Sequence, residues 1–227
     1  MLRYLPALLL ALGAPVLIGP AWSQDTLPHA PIVCTKDSAG ETACLQKLRG
    51  HFTRTANTLT LKLDGGKSKT YVDNAAACDG ENVEASKCLV YTLRGYFPRT
   101  QSYLVEKALY ECGNYLFVSR RTGSETPMQE VPVLSPSAKY LLSIDQSDAC
   151  EREHDIAIWS LLTDPPTLDF KYKAERYENW EVKAWTNDAH ISMKAWINDK
   201  TSYDQEAELV RGQRGWTLNF GKKSDHR

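Results

Sequence analysis

The chain has little charge of one sign, since 27 lysines and arginines balance 28 aspartates and glutamates among 227 residues. A nearly neutral protein has no strong field to attract nucleic acid or anionic lipid, so we expect neither as a partner. Long apolar runs are missing beyond the N-terminus, and we therefore expect no membrane span in the mature chain. A length of this order is enough for one globular domain with a sizeable core.

The common catalytic signatures are also absent. The sequence contains no Gly-x-Ser-x-Gly elbow, no His-Glu-x-x-His pair and no phosphate-binding loop. Its five histidines show no metal-ligand spacing, and no Cys-x-x-Cys pair indicates zinc or redox chemistry. We therefore expect a protein that acts by binding and not as an enzyme.

The first 23 residues are typical of a secretory signal peptide. Arg3 gives the basic start, residues 5–18 are almost wholly apolar, and Ala21-Trp22-Ser23 forms a small-x-small cleavage site. This pattern predicts export to the periplasm and a mature chain that begins near Gln24. We expect one domain over residues 24–220 and a polar, frayed tail over 221–227.

Six cysteines in an exported chain indicate three disulfides. Fifteen pairings are possible, but two pairs lie only ten positions apart in the sequence. Their spacing favours Cys34–Cys44 and Cys78–Cys88, which leaves Cys112–Cys150.

A repeat follows the two short cysteine pairs. Leu-Arg-Gly-His-Phe-Thr-Arg-Thr at 48–55 matches Leu-Arg-Gly-Tyr-Phe-Pro-Arg-Thr at 93–100 in six of eight positions. Such an echo predicts stacked copies of one supersecondary unit. We expect the repeated arginines to bind carbonyls at equivalent corners of successive units; a basic strip for anionic glycans is the alternative. These arginines are Arg49, Arg54, Arg94 and Arg99.

Strand patterns fill the mature region, and helix signals are nearly absent. Alternating apolar residues around Asp64-Gly65-Gly66 predict the first hairpin, and four more follow around Cys112-Gly113-Asn114, the loop 146–155, Thr186-Asn187-Asp188-Ala189 and Gly212-Gln213-Arg214-Gly215. Hairpins at this spacing favour an all-β fold, a small β-propeller of four or five blades. A β-sandwich is the alternative.

The stretch Ser135-Pro136-Ser137-Ala138-Lys139-Tyr140 resembles the Ser-Pro-Asp-Gly-Lys-Tyr turn that opens many propeller blades. Residues 185–192 are similar to a weaker second copy. Pro136 sets φ, and the short polar residues after it bend the chain into the next strand.

The densest polar cluster lies between two predicted strands at 145–155. Loops on rigid scaffolds often carry recognition, so this loop is our first candidate for a partner-binding face. Its candidate residues are Asp145, Asp148, Glu151, Glu153, His154 and Asp155. Calcium at Asp145, Asp148 and Glu151 is an alternative, since acidic loops supply oxygen ligands, although the Asp-x-Asp-x-Asp-Gly pattern is missing. A solvated loop tethered by Cys150 is the third possibility.

The stretch from Leu93 to Leu161 resembles a group of bacterial periplasmic propeller-like proteins. It includes Tyr110-Glu111-Cys112-Gly113-Asn114-Tyr115 and the turn at 135–143. The group is similar to i-type lysozyme inhibitors and to immunity proteins against secreted peptidoglycan hydrolases. The resemblance implies a protein that blocks a lysozyme-like hydrolase by inserting a loop into its cleft. The Ser-Gly-x-x-Tyr loop of those inhibitors is absent here, so no inhibitory residue is transferred from them.

Two other functions compete with inhibition. A carbohydrate- or envelope-binding module would present Trp180, Trp185 or Trp196 along one groove, whereas core packing is the ordinary role of such residues. A lyase or hydrolase would need a cleft that holds two carboxylates beside a histidine or tyrosine.

Overall fold

The computed structural model describes residues 31–34, 38–79, 83–145, 153–198 and 201–225. Antiparallel strands dominate these residues, which confirms the all-β fold class. The first eight strands are β1 Ile32–Val33, β2 Phe52–Thr55, β3 Thr58–Lys62, β4 Ser68–Val72, β5 Val90–Phe97, β6 Ser102–Ala108, β7 Gly113–Ser119 and β8 Glu125–Met128. The next eight are β9 Val133–Leu134, β10 Tyr140–Ile144, β11 Ile156–Ser160, β12 Thr167–Tyr172, β13 Tyr177–Asn187, β14 His190–Asn198, β15 Ser202–Gly212 and β16 Gly215–Asp225.

The strands form four antiparallel sheets, which are built from strands that are neighbours in the chain except that β1 pairs with β5. Their orders are β2-β3-β4, β1-β5-β6-β7-β8, β12-β11-β10-β9 and β13-β14-β15-β16. We call them sheets 1 to 4 in that order. The arrangement fits the β-sandwich alternative and does not by itself define a propeller.

Three apolar clusters join sheets that follow each other in the chain. Leu61 and Tyr103 belong to the cluster between sheets 1 and 2, and Phe117 and Leu141 to the cluster between sheets 2 and 3. The third cluster, between sheets 3 and 4, holds the fully buried Trp180. Among the described residues, none of these clusters joins sheet 1 to sheet 4. The core is therefore a row of layers, each formed by the inward faces of two sheets.

The predicted hairpins are present in the structure. Gly65 and Gly66 turn β3 into β4 with φ of 68° and 74°, values that a residue with a Cβ rarely adopts. The hairpin β13–β14 pairs Asn187 with His190, and β15–β16 pairs Gly212 with Gly215. Local alternation and turn residues were enough to locate these hairpins.

Two expectations about the chain's ends and helices were wrong. A helix, α1 Ser38–Gln46, lies where no helix was expected. Residues 221–225, predicted as a frayed tail, continue β16, and Lys223 pairs with Gln205 across the ladder. The Gln205 side-chain amide, on β15, donates to the carbonyl oxygens of Gly221 and Lys222 on β16 and so helps hold this end of the strand. It also donates to the carbonyl oxygen of Glu206 beside it.

The eight-residue echo is not a structural repeat. Residues 48–51 form a turn before β2, whereas residues 93–97 lie inside β5. Gly50 has a φ of 92°, whereas Gly95 lies where β1 approaches so closely that a Cβ would come within 2.2 Å of the Ile32 carbonyl oxygen. The two copies of the motif therefore have different backbone conformations, and the expectation of equivalent blade loops is wrong.

The repeated arginines also have unlike partners. Arg54 pairs with Asp73, and Arg94 Nε donates to Glu106 Oε2 at 2.7 Å. Arg99 Nη1 donates to the Pro136 carbonyl oxygen at 2.5 Å, as expected for a corner arginine. The expected set of equivalent corners is therefore absent.

No described helix is long and apolar enough to cross a membrane.

Candidate functional site

The up-and-down order of the strands places alternate connections at opposite ends of the sheets. We call one end the turn end; it consists of the connections 63–67, 98–101, 120–124, 135–139, 161–166, 188–189 and 213–214. We call the other the loop end; it consists of the connections 56–57, 73–89, 109–112, 129–132, 145–155, 173–176 and 199–201. Main-chain hydrogen bonds join neighbouring connections at the turn end, among them Asp64 N to Arg120 O at 3.0 Å and Leu161 N to Lys139 O at 2.8 Å.

Asp164 braces the turn end between sheets 2 and 3. Its carboxylate accepts hydrogen bonds from the hydroxyls of Ser119 at 2.7 Å, Ser124 at 2.7 Å and Thr122 at 3.1 Å. Arg121 Nη2 adds an ion pair at 3.2 Å. Burial alone would raise the pKa of Asp164, but the three hydroxyl donors and Arg121 outweigh it and hold the pKa below its ordinary value. The brace therefore stays ionised through the neutral and mildly acidic range.

Asp188 forms a second brace, between sheets 3 and 4. Its carboxylate accepts from the Ser137 main-chain N–H at 3.0 Å and from the Ser137 hydroxyl. These hydrogen bonds, the hydroxyl bond most of all, lower the pKa of Asp188. The two stretches that resemble propeller turns are thus linked, because the second supplies the carboxylate that holds the first.

The turn at 135–139 is held from within as well. Ser135 Oγ accepts from the N–H groups of Lys139 and Tyr140, both at 3.2 Å, and Ala138 N donates to the Ser135 carbonyl at 2.8 Å. Ala138 has a φ of 56°, an uncommon value for a residue other than glycine. Lys139 is exposed at the end of this turn, so its charge is presented on a fixed backbone.

The turn end carries an excess of positive charge. Among its described connections, six side chains are basic and three are acidic. All three acids are engaged, Asp64 with Arg120 and the other two in the braces described above. Four exposed cations form no ion pair with a carboxylate in the described part of the chain. We call them the turn-end cations: Lys67, Arg99, Lys139 and Arg214.

A polar cleft of about 360 Å³ opens at the turn end between sheets 2 and 3. Phe117 and Leu161 supply its apolar surface. We call it the turn-end cleft, and its polar lining includes Arg99, Gln101, Ser102, Arg121, Thr163 and Asp164. No histidine is among its lining residues, and the Ser119 hydroxyl is already donated to Asp164. This arrangement can bind an anion, but it offers no activated nucleophile.

No family model, curated protein or solved structure matches the chain.

The loop end has the opposite charge. Its described connections hold nine acidic side chains and three basic ones. The acids are Asp73, Asp79, Glu84, Glu111, Glu130, Asp145, Glu153, Asp155 and Glu175. The near-neutral total thus conceals a charge separation along the strand direction, which the composition alone could not reveal.

The predicted partner-binding loop lies at this end, but half of its candidate residues are buried. Asp145, His154 and Asp155 are 1%, 5% and 1% exposed. Asp155 holds the loop base, since its carboxylate accepts from Ala174 N at 2.6 Å and its N–H donates to Tyr172 O at 2.8 Å. Burial keeps these three from contacting a partner directly. Glu153 is exposed, whereas Asp148 and Glu151 lie outside the described residues.

His154 is buried with its Nε2 unpartnered among the described residues. Desolvation is the largest influence and lowers the pKa of His154, although Asp145, Glu153 and Asp155 oppose it. The imidazole is therefore neutral at pH 7. As for the calcium alternative, no cluster that could hold a metal occurs within the described ranges, and since two proposed ligands lie outside them, calcium stays a prediction.

Two of the three predicted disulfides are confirmed. Cys34–Cys44 and Cys78–Cys88 have Cα separations of 5.5 and 4.6 Å, within the range for disulfides. Cys112 forms no disulfide within the described part of the chain. Cys150 lies outside that part, so Cys112–Cys150 stays a prediction. Two disulfides point to an oxidising, extracytoplasmic environment.

The tryptophans do not share one groove. Trp180 is fully buried and donates to the buried Glu178 at 3.2 Å. Trp185 packs on Trp216 on the core side of sheet 4, with ring centroids 6.5 Å apart. Trp196 alternates with the core residues of β14 and so lies on the other face. These positions match the ordinary packing role and not a stacking platform.

Sequence reasoning missed the two brace carboxylates and the buried Glu178. Glu178 accepts from Tyr172 at 3.0 Å and Arg176 at 3.3 Å as well as from Trp180. A signal for Asp164 was present, because the Asp164-Pro165-Pro166 turn and the hydroxyls at 119–124 are both turn chemistry. Nothing in the sequence joins the two, since they lie 40 or more positions apart.

Proposed function

We propose that the chain binds and blocks a peptidoglycan-degrading, lysozyme-like hydrolase in the periplasm, after removal of a signal peptide. The observation that carries this proposal is the rigid, cationic turn end. Most glycoside hydrolases hold a pair of carboxylates in the substrate cleft. A surface whose own acids are engaged and whose cations are exposed complements such a cleft.

The turn at 135–139 is the best placed to enter that cleft. Its hydrogen bonds to Asp188 and Arg99 and those within the turn hold its backbone before binding. Preorganisation of this kind favours affinity because little conformational entropy is lost on association. Lys139 supplies a cation next to this backbone, so we assign it the main contact with a target carboxylate.

We further propose that the four sheets act as four blades of a small propeller-like scaffold. The support is that each sheet contains a meander of neighbouring strands, to which β1 is added in sheet 2, and that three apolar clusters pack sheets 1 to 4 on one another in turn. In this scaffold the described residues of the acidic loop, 145 and 153–155, lie at the end opposite the inhibitory surface. Its role as the recognition element is therefore not retained.

Inhibition is tested by digestion of peptidoglycan with a panel of muramidases, including any encoded beside this gene. We expect the purified chain to slow at least one of them at a stoichiometric dose. Lys139→Glu should weaken that inhibition about tenfold or more, since a charged contact becomes a repulsion. Lys222→Glu is the matched control because Lys222 is exposed near the end of β16, away from the turns. Undiminished digestion across the panel, or equal effects of both variants, would contradict the proposal.

The carbohydrate- or envelope-binding alternative loses the tryptophan platform on which it depended. The enzyme alternative gains no support from the turn-end cleft, whose lining contains no histidine or tyrosine. We therefore propose binding without catalysis, and pelleting with insoluble peptidoglycan separates a hydrolase inhibitor from an envelope-binding module.

A further inference from the structure

We propose that the turn-end cleft is a separate binding site for a small sugar that carries a carboxylate. This inference does not depend on the inhibitor proposal, because the cleft is lined by Ala138 of the turn at 135–139 but not by Lys139, which makes the proposed contact with the hydrolase. A volume of about 360 Å³ lies in the range of small-ligand sites and accommodates a monosaccharide.

The cleft presents two guanidinium groups, which come from two different turns of sheet 2. Arg99, from the β5–β6 turn, is anchored by its 2.5 Å hydrogen bond to the Pro136 carbonyl. Arg121, from the β7–β8 turn, is anchored by one contact of 3.2 Å with Asp164. A guanidinium has five N–H donors, so each arginine keeps donors for a ligand. Planar forks of this kind suit a carboxylate.

The rest of the lining suits a sugar ring. Gln101 and Thr163 are exposed and line the cleft. The Gln101 amide can donate to and accept from sugar hydroxyls, whereas Thr163 Oγ1, which donates to the Pro165 carbonyl at 2.9 Å, can accept from them. Ser102 is 3% exposed and its hydroxyl donates to the Thr100 carbonyl at 3.1 Å, which leaves its oxygen lone pairs as acceptors. Pro98, Leu161 and Pro166, each half-buried, give the apolar surface against which the C–H face of a pyranose can pack.

The contacts of Asp164 determine which ligand charge the cleft favours. Its two oxygens are occupied by three hydroxyl donors and Arg121, so it offers little to a cation. The remaining charge in the cleft is positive on the Arg99 side. A neutral sugar would leave that charge unmatched, whereas an acidic sugar would pair with it.

The test is an NMR titration of the full mature chain with three sugars. N-acetylmuramic acid and galacturonic acid carry a carboxylate on a lactyl ether and on the ring, respectively, and N-acetylglucosamine carries none. We expect one or both acids to shift the amide signals of Gln101, Ser102 and Thr163, with affinity at least about tenfold above that for N-acetylglucosamine. A response to the first acid alone identifies a cell-wall sugar, and a response to both identifies acidic sugars in general.

Variants separate this site from the inhibitory surface. Arg121→Gln should reduce the affinity for the acidic sugar about tenfold, whereas Lys139→Glu should weaken inhibition of a muramidase and leave the affinity for the sugar unchanged. Arg214→Gln is the matched control, since Arg214 is exposed at the same end but does not line the cleft. Wild-type signals that do not move with either acid at tens of millimolar would overturn the proposal. Acetate binding as tightly as the acids would also overturn it, because the site would then recognise only an anion.

Discussion

The turn end and the loop end of this molecule are stabilised in different ways. At the turn end, short connections are joined across sheets by carboxylates that accept from hydroxyl and main-chain donors. At the loop end, connections reach 17 residues, as in 73–89, and that loop is closed by Cys78–Cys88. Short braced connections keep their shape without covalent help, whereas a long loop loses much more entropy on folding. The turn end, which is held by short braced connections, is therefore the better candidate for preorganised binding.

The charge of each end follows the same division. Each acid at the turn end accepts hydrogen bonds or forms an ion pair, so the exposed cations determine the net field there. At the loop end, acids such as Asp79 and Glu111 are exposed, and the field is negative. A molecule with this separation is attracted to anionic partners by one end only, which orients the encounter.

The largest expected effects come from removing the two confirmed disulfides, of which Cys78–Cys88 lies at the loop end. Cys78→Ala with Cys88→Ala removes the constraint on a loop of ten-residue separation, and we expect the free energy of unfolding in urea to fall by about 3 kcal/mol. Cys34→Ala with Cys44→Ala is the matched comparison, since its loop has the same separation. We expect the second pair to lose more, because Cys34 and Cys44 pack with the first apolar cluster, whereas Cys88, although as buried as Cys34 at 5% exposed, belongs to none of the three clusters of described residues. Equal losses would mean that this packing adds nothing to the loop constraint.

Asp164→Asn should have the next largest effect, and it breaks the turn-end brace. The amide keeps the shape of the side chain but cannot accept on both atoms, so at least one hydroxyl loses its acceptor. We expect the free energy of unfolding to fall by about 2 kcal/mol, as for a partly buried, charge-assisted set of hydrogen bonds. Asp225→Asn, at an exposed carboxylate near the end of β16, is the control and should change stability by less than about 0.5 kcal/mol.

The contribution of the Asp164 carboxylate to the free energy of unfolding should also depend on pH, in a direction that its pKa fixes. Its folded pKa lies below the ordinary value of 3.8, so the brace stabilises the protein fully above that value and weakens as the pH falls through the folded pKa. The wild type and Asp164→Asn should therefore converge in stability only in strong acid. Convergence already near pH 6 would show that the carboxylate is not held as described.

The sequence was sufficient for the parts of the fold that depend on neighbours in the chain. Alternation located the hairpins, and spacing identified Cys34–Cys44 and Cys78–Cys88. Prediction from the sequence failed where the structural role of a residue depends on residues that are distant in the chain. Gly50 and Gly95 look equivalent, yet Gly50 has a φ of 92° in a turn, whereas Gly95 admits the close approach of β1. Helix α1 has too weak an apolar pattern to be recognised.

The candidate site was harder to predict than the fold for the same reason. The acidic loop stood out because its charges are adjacent in the sequence, but folding buries Asp145, His154 and Asp155. The turn end did not stand out, because its cations are spread from Lys67 to Arg214 and only the strand order brings them to one end. Asp188 and Ser137 are 51 positions apart, so no local pattern could indicate their contact.

The smallest expected effect concerns mild acid and distinguishes the two ends. Burial places the folded pKa of His154 below its ordinary value of 6.5, so the unfolded chain takes up this proton first and stability falls as the pH drops below 6.5. The fall ends once the folded protein also binds the proton, and a single imidazole limits its size. After correction for intrinsic rates, hydrogen exchange at the Asp155 amide should be faster at pH 5.5 than at pH 7.5, whereas the Ser137 amide, held by Asp188, should not change. His154→Gln should remove the difference at Asp155. If both amides respond alike, mild acid weakens the whole molecule, and the contrast between a pH-sensitive loop end and a pH-insensitive turn end is wrong.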